Sequence, residues 1–228
     1  DVDTRADFIR KTYLHLAGAV LAFIGIEAVV FSSGIAEGLA ARMLGNPLSW
    51  LLVLGGFMLV SWIAESWARS STSLVTQYCG LTLYVIAEAV IFVPLLYLAR
   101  HMETQAALNG QPVSIIAPAA AVTLFMFAGL TVIVFATAKD FTFLGTVLWV
   151  GSLGAFALII GGAIFGFNLG LFFSVGMVVL ACGWILYQTS AVMHHYHVGQ
   201  HVAASLALFA ALALLFWYVL RIAIELNR

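Results

Sequence analysis

Apolar positions in this chain do not alternate with polar ones at the period of a strand or a one-sided helix. They run on without a polar face, for about twenty residues at a time. A helix crossing a hydrocarbon core of ~30 Å needs about 20 such residues. Seven runs qualify, at 13–32, 47–66, 78–98, 113–138, 143–165, 169–193 and 202–224. The breaks between them are short and polar, reading "SGIAEGLAARMLGN", "ARSSTSLVTQ", "ARHMETQAALNGQP", "KD", "GFN" and "HHYHVGQH". The pattern predicts an all-α integral membrane protein, a seven-transmembrane-helix bundle. Residues 1–228 form one membrane domain, with 1–11 a short N-terminal cytoplasmic segment. The three-residue "GFN" break makes the fifth and sixth spans antiparallel neighbours, and Gly154, Gly161, Gly162, Gly166 and Gly170 would let their backbones approach.

Composition fits a lipid solvent. Hydrophobic residues make up 64% of the chain and charged ones 8%, where a soluble domain carries roughly a quarter charged. Membrane lipids are therefore the first partner. A net charge of −1 leaves no electrostatic footprint for nucleic acid. The chain starts at Asp1, so its first residue need not be the start of the gene. No cleavable leader is expected, because the first apolar run is too long for a signal peptide's central region. Cys79 and Cys182 lie in apolar runs and read as packing residues. With the N-terminus inside, the inner breaks hold Arg5, Arg10, Lys11, Arg69 and Lys139, and the outer ones Arg42, Arg100, Arg221 and Arg228. The cluster before the first span sets the orientation, with a cytoplasmic N-terminus and the C-terminus outside, as in a bacterial inner membrane.

Charges within a span are expensive and make candidates by default. Glu88 lies ten residues into the third run, about 15 Å deep. Pro94 frees the carbonyl of Val90 one turn away. Glu27 lies fourteen residues into the first run, so the two acids are candidates to line one cavity. Against this stands a neutral glutamate hydrogen-bonded to a neighbouring helix, which is the favoured reading for Glu27. Glu65 and Arg69, four apart, read as an ion pair at the interface. His194, His197 and His201 are weak metal candidates, since their spacing would share one face of an unbroken helix. Gly199 breaks that helix, which favours a solvated turn. No cofactor is implied. A retinal protein needs a lysine inside the bundle, and Lys11 and Lys139 lie at span ends. "HVGQH" would suit a seven-helix zinc hydrolase resembling the ceramidase group, but the aspartate such a site wants inside a span is missing. The expectation is a non-enzyme, with that hydrolase a distant alternative.

Four stretches, "FIRKTYLHLAGAV", "AKDFTFLGTVLWVG", "ILYQTSAVMHH" and "AASLALFAALALLFWYVLRI", together resemble the transmembrane Bax inhibitor motif (Bax inhibitor-1/YccA-like) family. The resemblance implies seven spans with a cytoplasmic N-terminus, and a regulator of other membrane proteins, such as a membrane protease of the FtsH type. It also implies an alternative, a calcium leak gated by two aspartates and contacted by a basic residue. Matched residue by residue, those aspartates fall on Gln188 and Ala211, and the basic position near Arg69. This chain is thus an atypical member without the acidic pair. A leak would have to use intramembrane glutamates instead, in a polar cavity of Glu27, Glu88, Arg69 and Gln188.

Overall fold

The computed structural model describes residues 2–70 and 73–227. Asp1, Ser71, Thr72 and Arg228 lie outside them, so Arg228 of the charge comparison and part of the second break have no structural account. The helices are α1 (Val2–Ser32), α2 (Ile35–Met43), α3 (Pro47–Ala68), α4 (Leu74–Leu108), α5 (Ile116–Thr137), α6 (Gly145–Phe165), α7 (Gly170–His194) and α8 (His201–Leu226), with a 3₁₀ turn at Thr142–Leu144. Among the described residues seven helices are long and apolar enough to cross a membrane. The seven-span, all-α reading holds.

Its span limits need correction where helices outlast their apolar stretch. The described part of the N-terminal segment, residues 2–11, is helical and continuous with the first span. At 35 residues, α4 measures about 52 Å and runs ten residues past the predicted end. Those ten, "ARHMETQAAL", are strong helix formers that hydropathy alone reads as a break. The extension has a use. The Glu103 carboxylate accepts the Ile115 and Ile116 backbone N–H groups at 2.6 and 2.9 Å. It thereby caps α5, whose own cap residue, Ile115, offers no side-chain acceptor. The first break likewise contains α2, which packs on α4 through an apolar side that includes Ala36, Ala40 and Met43.

Helix α8 is the axis. Of its most apolar window 72% is buried, against 6% for α3 and for α6. It packs against α1, α3, α4, α5 and α7, which explains a stripe of small residues at Ala203, Ala204, Ala211 and Ala213. Alpha-6 and α7 are neighbours as expected, but not through the expected glycines. Gly154 faces open space, Gly161 and Gly162 meet Phe167 of the connecting turn, and Gly166 and Gly170 take the positive φ angles of that turn. The close contacts are instead Gly145 on Tyr187, Gly151 on Leu180 and Gly183 on Leu148. The tightest approach lies elsewhere, where Gly80 of α4 meets the backbone of α3 at Ala64 and Ala68. Cys182 is half-buried, whereas Cys79 is exposed and so faces outward rather than packing in the core.

Candidate functional site

Three of the four sequence stretches quoted above converge where α1 begins and α7 ends. In "ILYQTS", the Thr189 hydroxyl is buried beside the Tyr13 hydroxyl of "FIRKTYLHL" and Thr131 of α5. The three oxygens form a small polar cluster within the apolar core. One residue on, the Ser190 hydroxyl accepts the Phe141 N–H at 2.8 Å and lies 3.2 Å from Asp140 Oδ1, joining α7 to "KDFTFLG". Asp140 Oδ1 also accepts the Thr142 hydroxyl and N–H, at 2.6 and 2.9 Å, which starts the 3₁₀ turn before α6. Its Oδ2 lies 2.8 Å from His195 Nε2, which must donate, since an ionised carboxylate only accepts. Arg5 closes this end by donating to the Tyr196 carbonyl at 2.6 Å.

Asp140 and His195 escaped the sequence reading, which singled out His194, His197 and His201, by their spacing, only as weak metal candidates. The signal that points to Asp140 is local: an aspartate two residues before a threonine, at the start of a helix, reads as an Asx turn. The three candidate histidines are dispersed. His194 is the last residue of α7 and bonds the Ser190 carbonyl at 3.1 Å. His197 is exposed in the turn, where its N–H bonds Gln200. His201 begins α8 and packs against His15 at 4.9 Å between ring centroids. Among the described residues no group of three His, Cys, Asp or Glu side chains is placed to hold a metal ion.

The Thr142 hydroxyl and N–H, and then His195, hold the Asp140 carboxyl well below the usual carboxylate range. The folded state thus binds this proton less readily than the unfolded chain. Its contribution to stability is present above about pH 4 and lost as pH falls from there. Asp140→Asn should lower the unfolding temperature at pH 7, with a deficit that shrinks as pH falls from 4 toward 2. Thermal unfolding of both proteins in detergent measures it; an equal deficit at every pH would refute the linkage.

The four residues proposed for one polar cavity are not brought together. Glu27 lines a cavity of about 260 Å³ between α1, α4, α5 and α8, which Glu88, Arg69 and Gln188 do not line. Glu27 is 7% exposed and neither carboxyl oxygen has a hydrogen-bond partner. It is therefore no hydrogen-bonded link between helices. Glu88 is buried one turn before Phe92 on α4, near the Tyr84 hydroxyl, with Ser61 and Glu65 of α3 close to the same hydroxyl. Arg69 caps α3 and is exposed. Among the described residues its guanidinium makes no ion pair with Glu65 within 4 Å, so the interfacial pair expected from their spacing is not formed. Gln188 is half-buried on α7, and Ala211, 5% exposed, lies on α8, which packs along α7.

The family described as "Inhibitor of apoptosis-promoting Bax1" matches residues 5–228. An uncharacterized protein of Pseudomonas aeruginosa is 29% identical over 221 residues, covering 94% of this chain and 87% of that protein. The matched range includes the stretches that dock on one another at the Asp140–Ser190 junction. The chain is an integral membrane protein and belongs to the Bax inhibitor-1 family.

Proposed function

We propose that this chain is a non-enzymatic multi-pass protein of a bacterial inner membrane, N-terminus inside, that binds and regulates other membrane proteins, an FtsH-type protease complex among them. The observation that supports this most is the uncommitted surface of α3 and α6. Each is a full span with only 6% of its apolar window buried, and the two helices touch. They form one continuous face. Trp62 and Trp149 stand exposed on these helices, at 70% and 62%, and Gly55, Gly56 and Gly154 have open space where a side chain would be. Lipid solvates such a face adequately, but small residues beside large aromatics also admit the backbone of another helix. Photo-crosslinkers placed at Gly55 and Gly154 of the full-length protein, in its native membrane, test the reading. Adducts with a second membrane protein, identified by mass spectrometry, are the expected outcome. Adducts with lipid alone from both positions would overturn it.

A further inference from the structure

Glu27 poses a chemical problem that the fold does not solve by itself. A carboxyl in an apolar site, with both oxygens buried and unbonded, leaves four acceptor positions unused. A buried acceptor without a donor costs about 1–3 kcal/mol, more for a charged group. Such a group persists where something else supplies the donor. The cavity it lines is apolar and aromatic, with Phe23, Phe92, Phe209 and Phe216 in its wall. These rings are locked to one another: Phe23 meets Phe92 edge-on at 5.2 Å and Phe209 at 6.2 Å, and Phe216 stacks on Phe92 at 5.5 Å. The lining also includes Ile24 and Leu124, exposed by 55% and 52% on the surface that faces lipid. A ligand that reaches Glu27 past these residues comes from the bilayer.

We propose that this cavity is a binding site for a compact lipophilic amine, whose ammonium donates to the Glu27 carboxylate while its apolar body lies among the phenylalanines. Three observations select this class. The unpaired carboxyl needs a donor and favours a positive one, because a charge-assisted hydrogen bond is about twice as strong as a neutral one. Phenyl faces attract a cation placed over them, most strongly where water is excluded. An inorganic cation is a poor occupant, since calcium takes six to eight oxygen ligands. The other side-chain oxygen lining the cavity, that of Thr123, already donates to the Ala119 carbonyl at 2.8 Å. Size sets the last limit. An apolar cavity of ~150 Å³ takes benzene, so about 260 Å³ holds roughly ten non-hydrogen atoms.

N,N-dimethylbenzylamine has that size and is the probe. Isobutylbenzene has the same shape with carbon in place of nitrogen. The full-length protein in detergent is titrated with each compound, and binding is followed by thermal unfolding and by ligand-observed NMR. The amine is expected to raise the unfolding temperature of the parent and to bind Glu27→Gln at least tenfold more weakly, while isobutylbenzene separates the two proteins little. Ala120→Leu keeps Glu27 but fills the cavity from α5, and should lose the amine as well; it also serves if Glu27→Gln folds poorly. Equal binding of the amine to the parent and both variants would show partition into detergent and overturn the proposal. So would equal affinity of the parent for amine and hydrocarbon, or no binding of the amine at all.

Discussion

Gly80→Val should lower the unfolding temperature of the protein in detergent by roughly 5–10 °C, and Gly80→Ala by about half as much. A Cβ at this position would lie 2.5 Å from the Ala64 carbonyl oxygen, 2.6 Å from the Ala68 nitrogen and 3.0 Å from the Trp67 Cβ. Two of those three atoms are backbone, so no rotamer change relieves the clash. One helix must move away from the other. Ala64 and Ala68, at 0% and 2% exposed, are themselves small because Gly80 sits against them. The displaced contact lies beside the turn that joins α3 to α4, where the Gln77 amide donates to the Ser70 carbonyl at 2.7 Å. Overpacking of this kind costs about 1–3 kcal/mol, and Val adds a branch that Ala lacks. Gly129→Ala is the control, since its added methyl meets nothing within 4 Å and should leave the unfolding temperature unchanged or slightly higher. If Gly80→Val and Gly129→Ala unfold alike, helix α3 does not pack on α4 in this way.

The contrast between Gly80 and Gly154 shows which part of the fold a sequence carries. Spans are legible because lipid forces every face of a helix to be apolar, and a run of such residues has no other economical explanation. The same uniformity hides the azimuth. A helix that is apolar all round gives no signal of which side meets protein, so Gly154, Gly161 and Gly162 looked as suited to close packing as Gly80, Gly145, Gly151 and Gly183. Glu27 and Glu88 suffer from the same silence. Each is legible as an expensive group inside a span, but which neighbours each one meets depends on how α1 and α4 rotate about α8. Helix ends are hidden for the opposite reason. Beyond the hydrocarbon a helix need not stay apolar, so "ARHMETQAAL" and the first turns of α1 look like loops until Glu103 and Arg5 are seen bonding across to other elements. Asp140 and His195 stand fifty-five residues apart in sequence, and histidine spacing drew attention to the neighbours of His195 instead.

The protein reconstituted in liposomes should pass little calcium, with no steep change in flux between pH 5 and 8. A pH-gated leak of the kind the family resemblance implies needs two carboxylates that share a proton and so titrate as a coupled pair. The matching positions here hold an amide, Gln188, and a methyl, Ala211, neither of which changes charge in that range. The scaffold around them is suited to the pair all the same. Alpha-7 and α8 pack side by side and run antiparallel through the turn at residues 195–200. Gln188 lies six residues before the end of α7 and Ala211 ten after the start of α8, which puts them about 9 and 15 Å from that turn. An axial offset of ~6 Å lies within the combined reach of two carboxylates leaning toward each other. Gln188→Asp together with Ala211→Asp should therefore create a step in calcium flux, of about tenfold per pH unit on its steep part if one shared proton controls it. Either substitution alone should not, because a lone carboxyl has no partner to hold the proton against. Glu27 lines a cavity whose lining does not include Glu88, so the two acids are not expected to replace the pair. Stopped-flow dye measurements on the four proteins at matched protein-to-lipid ratio decide the matter. A steep near-neutral step in the unmodified protein would move the latch to a different set of groups, with Asp140 and His195 the first to replace.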